Sequence, residues 1–390
     1  MDIGTHSAPP EDLAHRTRHW VDTHLIPAET ALGEDSDAAH ARMAGLIASA
    51  RQSGLWGIFL PVALGGQLGQ LSAYARVAEE EGRSEFGPEV FGSEAVVDAH
   101  MLHRHATRAV REHYLADLAA GRATPAYGMS EPDGVGSVPA TIQTTATLED
   151  GHWRIEGRKW FVCRARRAAF VTVVARTRAH GPADGALSMI VVPADAPGFQ
   201  VERSLDILGR DQGQCEISFQ GVRVPADHVL GAPHQGMALM RQRLAMGRLV
   251  RSSHWLGLGQ RCLDLMGARI HSPRGRLAAL ADKQLVRQHV FEAHLALKSA
   301  RALLRMAAAE FDAGQACDVS VNLAKVAAAR ALGLAADSAV QIHGAEGLSA
   351  LSPLSHIYRA ARATRILDGT DEALINAVGR DLIAAGAPIA

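Results

Sequence analysis

The sequence predicts an α+β fold in which helices and strands are segregated along the chain rather than alternated. Three observations carry this. Apolar residues recur at helical spacing over residues 1 to about 125, at a period of two from 126 to about 232, and at helical spacing again from 233 to 390. Gly, Pro and Asp cut the middle stretch into strand-sized pieces. No G-x-G-x-x-G follows a strand, so a doubly wound nucleotide-binding sheet has no support. The expected architecture is an N-terminal helical domain (1–125), a middle β-barrel-like domain (126–232) and a C-terminal four-helix bundle (233–390).

In the first region, Asp37 to Gly54 is rich in Ala, Met, Leu and Ile and stops at Ser53-Gly54. Leu60-Pro61 through Gly65-Gly66 reads as a loop, and Leu71 to Glu81 and Ala106 to Ala120 resume helical spacing. In the middle region Ile142, Thr144, Ala146 and Leu148 alternate with their neighbours, and Glu149-Asp150-Gly151 turns the chain into Trp153 and Ile155. Val171 and Val173 follow, then the apolar run Met189 to Val192 ended by Pro193. Cys215, Ile217 and Phe219 alternate again, and Asp206 to Pro225 reads as a closing hairpin. In the last region Val286, Val290, Ala293, Leu297, Ala300 and Leu304 form one apolar stripe, and Leu323, Ala327, Ala331 and Leu334 predict a second. Long helices with short connections imply the bundle.

The 390 residues are 47% hydrophobic, ample for a large core divided among two or three packed regions. A formal net charge of -1 argues against nucleic acid or an anionic membrane as the main partner. Met1 to Pro10 lacks a secretory pattern, and no apolar stretch approaches the roughly 20 residues that span a bilayer, so no membrane insertion is expected. Cys163, Cys215, Cys262 and Cys317 lie far apart without a C-x-x-C spacing. Neither a metal site nor a disulfide framework is expected, and the cytoplasm is the expected location.

Four segments hold the residues that could carry chemistry. Each has a plainer explanation when taken singly. Ala126 to Ser137 places Gly134 and Gly136 among hydroxyls, as a ligand loop or an ordinary turn would. Gly157-Arg-Lys-Trp-Phe-Val-Cys163 offers two adjacent aromatics, for a flat cofactor or for core packing. Gln341 to Gly347 ends a long helix, where glycines are normal. Asp368 in Arg365-Ile-Leu-Asp-Gly-Thr-Asp-Glu372 fits a capping or ion-paired carboxylate, and Thr370 or Asp371 could cap the last helix.

In order and spacing, however, these segments resemble the acyl-CoA dehydrogenase superfamily over nearly the whole chain. Gly54-Leu-Trp-Gly to Gly65-Gly66 is similar to an early family loop, Tyr127 to Ser137 to its flavin loop, and Gly157-x-Lys159 to its second flavin segment. Val222-Arg-Val-Pro225 with Leu230-Gly231 resembles the end of its β-domain, and Asp368-Gly-Thr370 its Glu-Gly-Thr catalytic turn. The resemblance implies FAD as cofactor, an acyl-CoA or an acyl-carrier-protein thioester as substrate, an electron acceptor such as an electron-transfer flavoprotein, and a homodimer or homotetramer. It further implies Asp368 as the base that takes the α-proton while a β-hydride passes to the flavin. Tyr127, Met129, Ser130, Phe161 and Cys163 would line the flavin ring, and Gly136 and Ser137 would sit by the pyrophosphate. Arg269, Gln341 and Gly344 would approach the cofactor of a neighbouring subunit. Thr370 and Glu372 would touch FAD beside the base, and Arg248 and Gly369 would bind substrate.

The departures are specific. Asp368 is one methylene shorter than the usual Glu, a feature of a branch that favours long acyl chains. Gly247 occupies the other position where family members place a base. Cys163 stands where a Thr bonds the flavin, and a thiol is a poorer donor. Arg164, Arg166 and Arg167 replace an Asn-Gly-rich turn, and Ala345 replaces a glycine after Gly344. The competing expectations are a flavin-dependent oxidase or monooxygenase on the same fold, and a non-catalytic acyl-thioester-binding protein.

Overall fold

The computed structural model describes residues 9–34 and 36–384. The reading of Met1 to Pro10 as leaderless therefore lies, for residues 1–8, outside the described residues. In chain order the longer helices are α1 (Pro10–Trp20), α2 (Asp37–Gln52), α3 (Leu71–Glu81), α4 (Val96–His105), α5 (Arg108–Ala119), α6 (Gly236–Ile270), α7 (Gln284–Asp312), α8 (Asp318–His343), α9 (Leu354–Thr364) and α10 (Asp371–Ala384). The strands are β1 (Pro125–Gly128), β2 (Thr145–Glu149), β3 (His152–Cys163), β4 (Phe170–Arg176), β5 (Leu187–Pro193), β6 (Phe199–Ser204) and β7 (Gln214–Pro225). The described residues pack into two compact units: those within 1–62, 66–94 and 245–390 form the first, and those within 63–65 and 95–244 the second.

The first unit is helical. Its α2 starts where Ser36 Oγ accepts the Ala39 N–H (3.2 Å) and stops at the left-handed Gly54, as its sequence predicts. The N-terminus of α3 is capped from a distance: the Asp312 carboxylate accepts the N–H groups of Leu71 and Ser72, both at 2.8 Å. A negative charge there suits the helix dipole. α3 and α6 approach backbone to backbone. A Cβ on Gly257 would lie 1.7 Å from the Glu79 carbonyl oxygen, so only glycine permits this crossing.

The two predicted stripes of the bundle fare differently. On α7, Ala293, Leu297, Ala300 and Leu304 are buried, while Val286 and Val290 are half-buried beside an open depression that also includes Phe291. On α8 the stripe is out of phase. Leu323 and Leu334 are exposed and Ala327 is half-buried; of the predicted stripe only Ala331 is buried, and the buried face runs through Val321, Ala324, Ala328, Leu332 and Ala335. The cause is that α8 packs against α7, α9 and α10 at once, and its alanines do not distinguish one face from the next. This helix is also long and apolar enough to cross a membrane by length and composition, against the expectation of no such stretch. Here it is a packed core helix that buries Asn322 and Lys325.

The second unit holds the sheet with α4 and α5. The strand order is β1-β4-β2-β3-β7-β6, with β5 also pairing β4. β3 and β7 pair antiparallel from end to end with two register shifts, after Ile155 and after Lys159, and β1 runs parallel to β4. Trp153, Ile155, Val171, Val173, Cys215, Ile217 and Phe219 form one buried cluster, so the period-two residues do mark the core face. Three details differ. Ile142 and Thr144 precede β2 instead of belonging to it, and of the alternating residues within the strand Ala146 is buried but Leu148 is exposed. The hairpin is wider than Asp206 to Pro225, because β6 begins at Phe199. In β7 the polar alternates are buried too: Glu216, 1% exposed, ion-pairs with Arg158 and Arg203. Periodicity cannot reveal a carboxylate that is buried because it is paired.

Candidate active site

In the second unit the chemistry-bearing residues gather where β3 loosens. The pairing of β3 with β7 passes from Lys159 opposite Ile217 to Val162 opposite Cys215, leaving a bulge at Trp160 and Phe161. Phe161 takes the left-handed φ of +50° and its ring is 46% exposed. A large side chain held in that conformation and left uncovered is costly, and bulges are a usual way to aim a side chain. The freed Trp160 N–H donates to the Ser130 carbonyl (3.0 Å), which ties the 129–131 loop to the strand.

A buried ion pair fixes the same loop. Lys159 Nζ donates to the Met129 carbonyl (2.9 Å) and to Glu131 Oε1 (2.8 Å), and the lysine is fully buried. The Glu131 carboxylate also accepts the N–H groups of Gln143 (2.7 Å) and Thr144 (2.8 Å). Burial pushes Lys159 down to about 8, opposed by the Glu131 charge. Burial alone would raise Glu131, but the charge and hydrogen bond of Lys159, with the Thr144 and Gln143 bonds, bring it below 4.5. Strand and loop cross closely at Gly157, whose φ is +142° and where a Cβ would meet Thr144 Oγ1 at 2.5 Å.

Beyond this anchor, Gly136 and Ser137 lie in an exposed loop. A Cβ on Gly136 would come within 3.3 Å of Ser130 Oγ, so the glycine keeps that hydroxyl uncovered. Cys163 is exposed and accepts from Gln214 Nε2 at 2.8 Å, while Gln214 Oε1 is buried without a partner. The Tyr127 ring lies under the Arg243 guanidinium (3.8 Å), itself held by Asp98. Met129, Ser130 and Gly136 line one small pocket, tied by the Trp160 N–H to the bulge of β3 that carries the exposed Phe161 and, two residues on, Cys163. This fits a flat, polar-edged ring followed by phosphate.

In the first unit the focus is the turn before α10. Asp368 (φ +56°) and Gly369 (φ +99°) are successive left-handed residues, a conformation Asp tolerates better than most. Two cations, the half-buried Arg248 and the fully buried Lys325, hold their carbonyls. Arg248 Nε donates to the Asp368 oxygen and Lys325 Nζ to the Gly369 oxygen, both at 2.9 Å. The Asp368 carboxylate is gripped by Arg251, Nη2 to Oδ1 at 2.7 Å and Nε to Oδ2, and its side chain is only 9% exposed. Arg248 Nη1 also reaches Asn322 Oδ1 (2.9 Å). Behind the turn, the fully buried Asp371 receives Lys325 (3.3 Å), Arg365 (3.0 Å) and Arg330 (3.5 Å). Burial lowers both Arg248 and Lys325, opposed by Asp368 for the first and Asp371 for the second.

The other residues expected at the site have partners within the chain. Thr370 caps α10 by accepting the Ala373 N–H at 3.2 Å, so Asp371 is a buried ion-pair partner instead of a cap. Arg248 spends two of its nitrogens on Asp368 and Asn322, as an anchor of the turn more than an open substrate contact. Gly369 is needed for its backbone, since a Cβ would sit 3.2 Å from Arg248 Nη2. Glu372 is exposed and 3.9 Å from Arg365. Arg269, expected to reach phosphates, is 14% exposed and pairs with Glu346 (3.3 Å), which also holds Arg274 (2.8 Å). Its Nε is buried without a partner. Gln341 and the left-handed Gly344 are exposed nearby in sequence. The sequence reading missed Arg251, Asn322, Glu131 and Glu346, and passed over Lys325 and Lys159 as partners. The available signal was spacing: Arg248 with Arg251, and Asn322 with Lys325, are three apart on a helix and share a face.

Comparison with known proteins identifies the family. The chain matches three domain models of acyl-CoA dehydrogenase: the N-terminal domain at residues 9–122, the middle domain at 126–222 and the C-terminal domain at 234–383. It is 32% identical to the "Probable acyl-CoA dehydrogenase FadE2" of Mycobacterium tuberculosis, over 96% of this chain and 95% of that protein. It is 28% identical to acyl-CoA dehydrogenase family member 11 of mouse over 95% of this chain, and it spans 50% of that longer protein. Among solved structures, butyryl-CoA dehydrogenase of Megasphaera elsdenii superposes with a TM-score of 0.84 at 23% identity, covering 98% of this chain and all of the other. The glutaryl-coenzyme A dehydrogenase complex gives 0.84 at 23% identity, over 98% and 97% of the two chains. At such identity these two show the fold alone. Three matched domains in order, with a relative 32% identical over nearly the whole of both chains, make the chain a member of the acyl-CoA dehydrogenase family, an FAD-dependent flavoprotein oxidoreductase acting on CH–CH groups.

Proposed function

We propose that this protein dehydrogenates an acyl thioester, carried on coenzyme A or on a carrier protein, to the 2-enoyl thioester, with Asp368 as the base. Bound FAD supplies the acceptor for the β-hydride. The residues present fit that cofactor at the bulge of β3: Phe161 offers an open ring, Ser130 an uncovered hydroxyl, and Gly136 room for close approach. Cys163 and Gln214 add a polar edge there.

The observation that carries the base assignment is the turn itself. Asp368 sits in a left-handed conformation whose carbonyl is fixed by Arg248 and whose neighbour's carbonyl is fixed by Lys325. A carboxylate on so rigid a backbone is pre-positioned, which a weakly acidic α-C–H requires. The proton leaves the α-carbon for a carboxylate oxygen of Asp368. The thioester oxygen, on which charge develops, needs donors that strengthen as it does, and backbone N–H groups of the turn are of the right type. A covered acyl chain would exclude water from this step. An electron-transfer flavoprotein as acceptor, a homodimer or homotetramer, and a cytoplasmic location complete the reading.

The test is anaerobic titration of the FAD-loaded protein with a panel of acyl thioesters, followed by loss of the flavin's visible absorbance. Asp368→Asn is expected to keep its FAD and to lose bleaching by at least about a hundredfold, in line with removal of a general base. Bleaching at the unaltered rate would refute the assignment. Rapid reoxidation of the photoreduced flavin by air would instead favour an oxidase.

A further inference from the structure

Resting on Asp368 as the base, we propose that Arg251 is a positioning residue that aims this carboxylate, along a path that Gly247 keeps open. The backbone of the turn is already held, by Arg248 at the Asp368 carbonyl and by Lys325 at the Gly369 carbonyl. What is left to fix is the direction of the Asp368 side chain. Arg251 fixes it, because Nε and Nη2 of one planar guanidinium meet the two oxygens of one carboxylate. Such a fork sets the plane of the carboxylate, which a single donor does not. It also leaves the base usable. A carboxylate has about four lone-pair sites, and the fork takes one on each oxygen. Asp368 can therefore accept the α-proton with Arg251 in place.

Magnitudes decide whether the ion pair helps or hinders. Proton transfer discharges the pair, but a pair whose cation is 41% exposed is worth at most about fivefold. A reacting group misplaced by about 1 Å costs on the order of a hundredfold. Aim outweighs the ion pair. The path of the side chain is a second observation. Gly247, Arg248 and Arg251 are spaced to share one face of α6. A Cβ on Gly247 would lie 3.3 Å from Arg251 Nη2, the nitrogen that donates to Asp368 Oδ1 at 2.7 Å. That is tighter than ordinary packing, so a side chain at 247 pushes the guanidinium off its line. Glycine inside a 35-residue helix is otherwise unfavourable, and the passage of Arg251 accounts for it.

The test uses the full-length FAD-loaded protein, the saturated acyl-CoA that bleaches it fastest, and the matching 2-enoyl-CoA. The limiting bleaching rate, the calorimetric affinity for the enoyl product and the melting temperature are read for each variant. Arg251→Met is expected to slow the limiting rate by about ten- to a hundredfold, with product affinity held within about threefold. Arg251→Lys, a one-point donor, should fall between that variant and wild type. Gly247→Ala should slow bleaching by about three- to tenfold while the melting temperature holds or rises, since alanine suits a helix interior better. Added to Arg251→Met, Gly247→Ala should slow bleaching no further, because both act through one guanidinium. A rate for Arg251→Met within about twofold of wild type overturns the proposal, as does full additivity of the two changes. So does a slowing matched by an equal loss of product affinity, the mark of a merely structural arginine. Should Arg251→Met lose its flavin, Arg251→Lys and Gly247→Ala decide: slower bleaching at unaltered product affinity supports the aim, and wild-type rates overturn it. Wild-type bleaching in Arg251→Met beside an inert Asp368→Asn rejects the aim alone. Retained bleaching in Asp368→Asn rejects the base, and the aim with it.

Discussion

At the scale of single residues, two residues of the proposed site are left-handed: Phe161 at φ +50° and Asp368 at +56°. Neither is glycine, and each is held by neighbours that fix the backbone. Strain of about 1 to 2 kcal/mol at such positions persists only where the surroundings determine it. The ring of Phe161 contributes nothing to a core from where it stands. Phe161→Ala keeps the Cβ and the same backbone demand, so it isolates the ring. The expected outcome is an unchanged melting temperature for the apoprotein and about a tenfold loss in FAD retention, read as bound flavin after gel filtration. Undiminished flavin would remove Phe161 from the cofactor site. The resemblance placed a residue role at Phe161, while the sequence alone left packing open. Its exposure, a property of the bulge, weighs against core packing.

At the scale of elements, the loop at 129–131 owes its position to strand β3. Lys159 lies on the strand, Glu131 in the loop, and both are buried with their charges matched. Removing one partner leaves an uncompensated buried charge. Lys159→Met is expected to lower unfolding stability by about 3–5 kcal/mol, measured by urea denaturation. The pair also sets an acid limit. Glu131 is held below its ordinary 4.5 in the folded protein, so the unfolded chain takes up this proton first as pH falls. Its stabilisation is full above about 4.5 and is lost as pH drops through the lower folded value. Glu131→Gln should flatten that part of the stability profile; an unchanged slope would show the acid loss to lie elsewhere. The element boundaries themselves were largely legible: α3 ends where predicted, and the core face of the middle sheet followed the period of two. The stripe on α8 was not, because a helix surrounded on several sides by small residues has no single apolar face to read.

At the scale of the whole molecule, Arg269 is the clearest departure from the expected cofactor contacts. Glu346 shares it with Arg274, so its charge is already answered within the chain. If Arg269 serves FAD phosphates, the carboxylate competes with them. Glu346→Gln should then tighten FAD binding by about three- to tenfold, the range expected from removing one competing ion pair at a partly exposed site. An unaltered affinity would assign Arg269 to the fold alone.

The order of the three regions, the turn motifs and the position of the short acidic residue before α10 were determined by the sequence itself, since periodicity and glycine spacing are local properties. The partners of Asp368, Lys325, Glu131 and Arg269 were decided only by the tertiary structure. Each lies between about 30 and 120 residues from the group it binds. A buried charge is tolerable only where such a distant partner arrives, and no local pattern in the chain records that arrival.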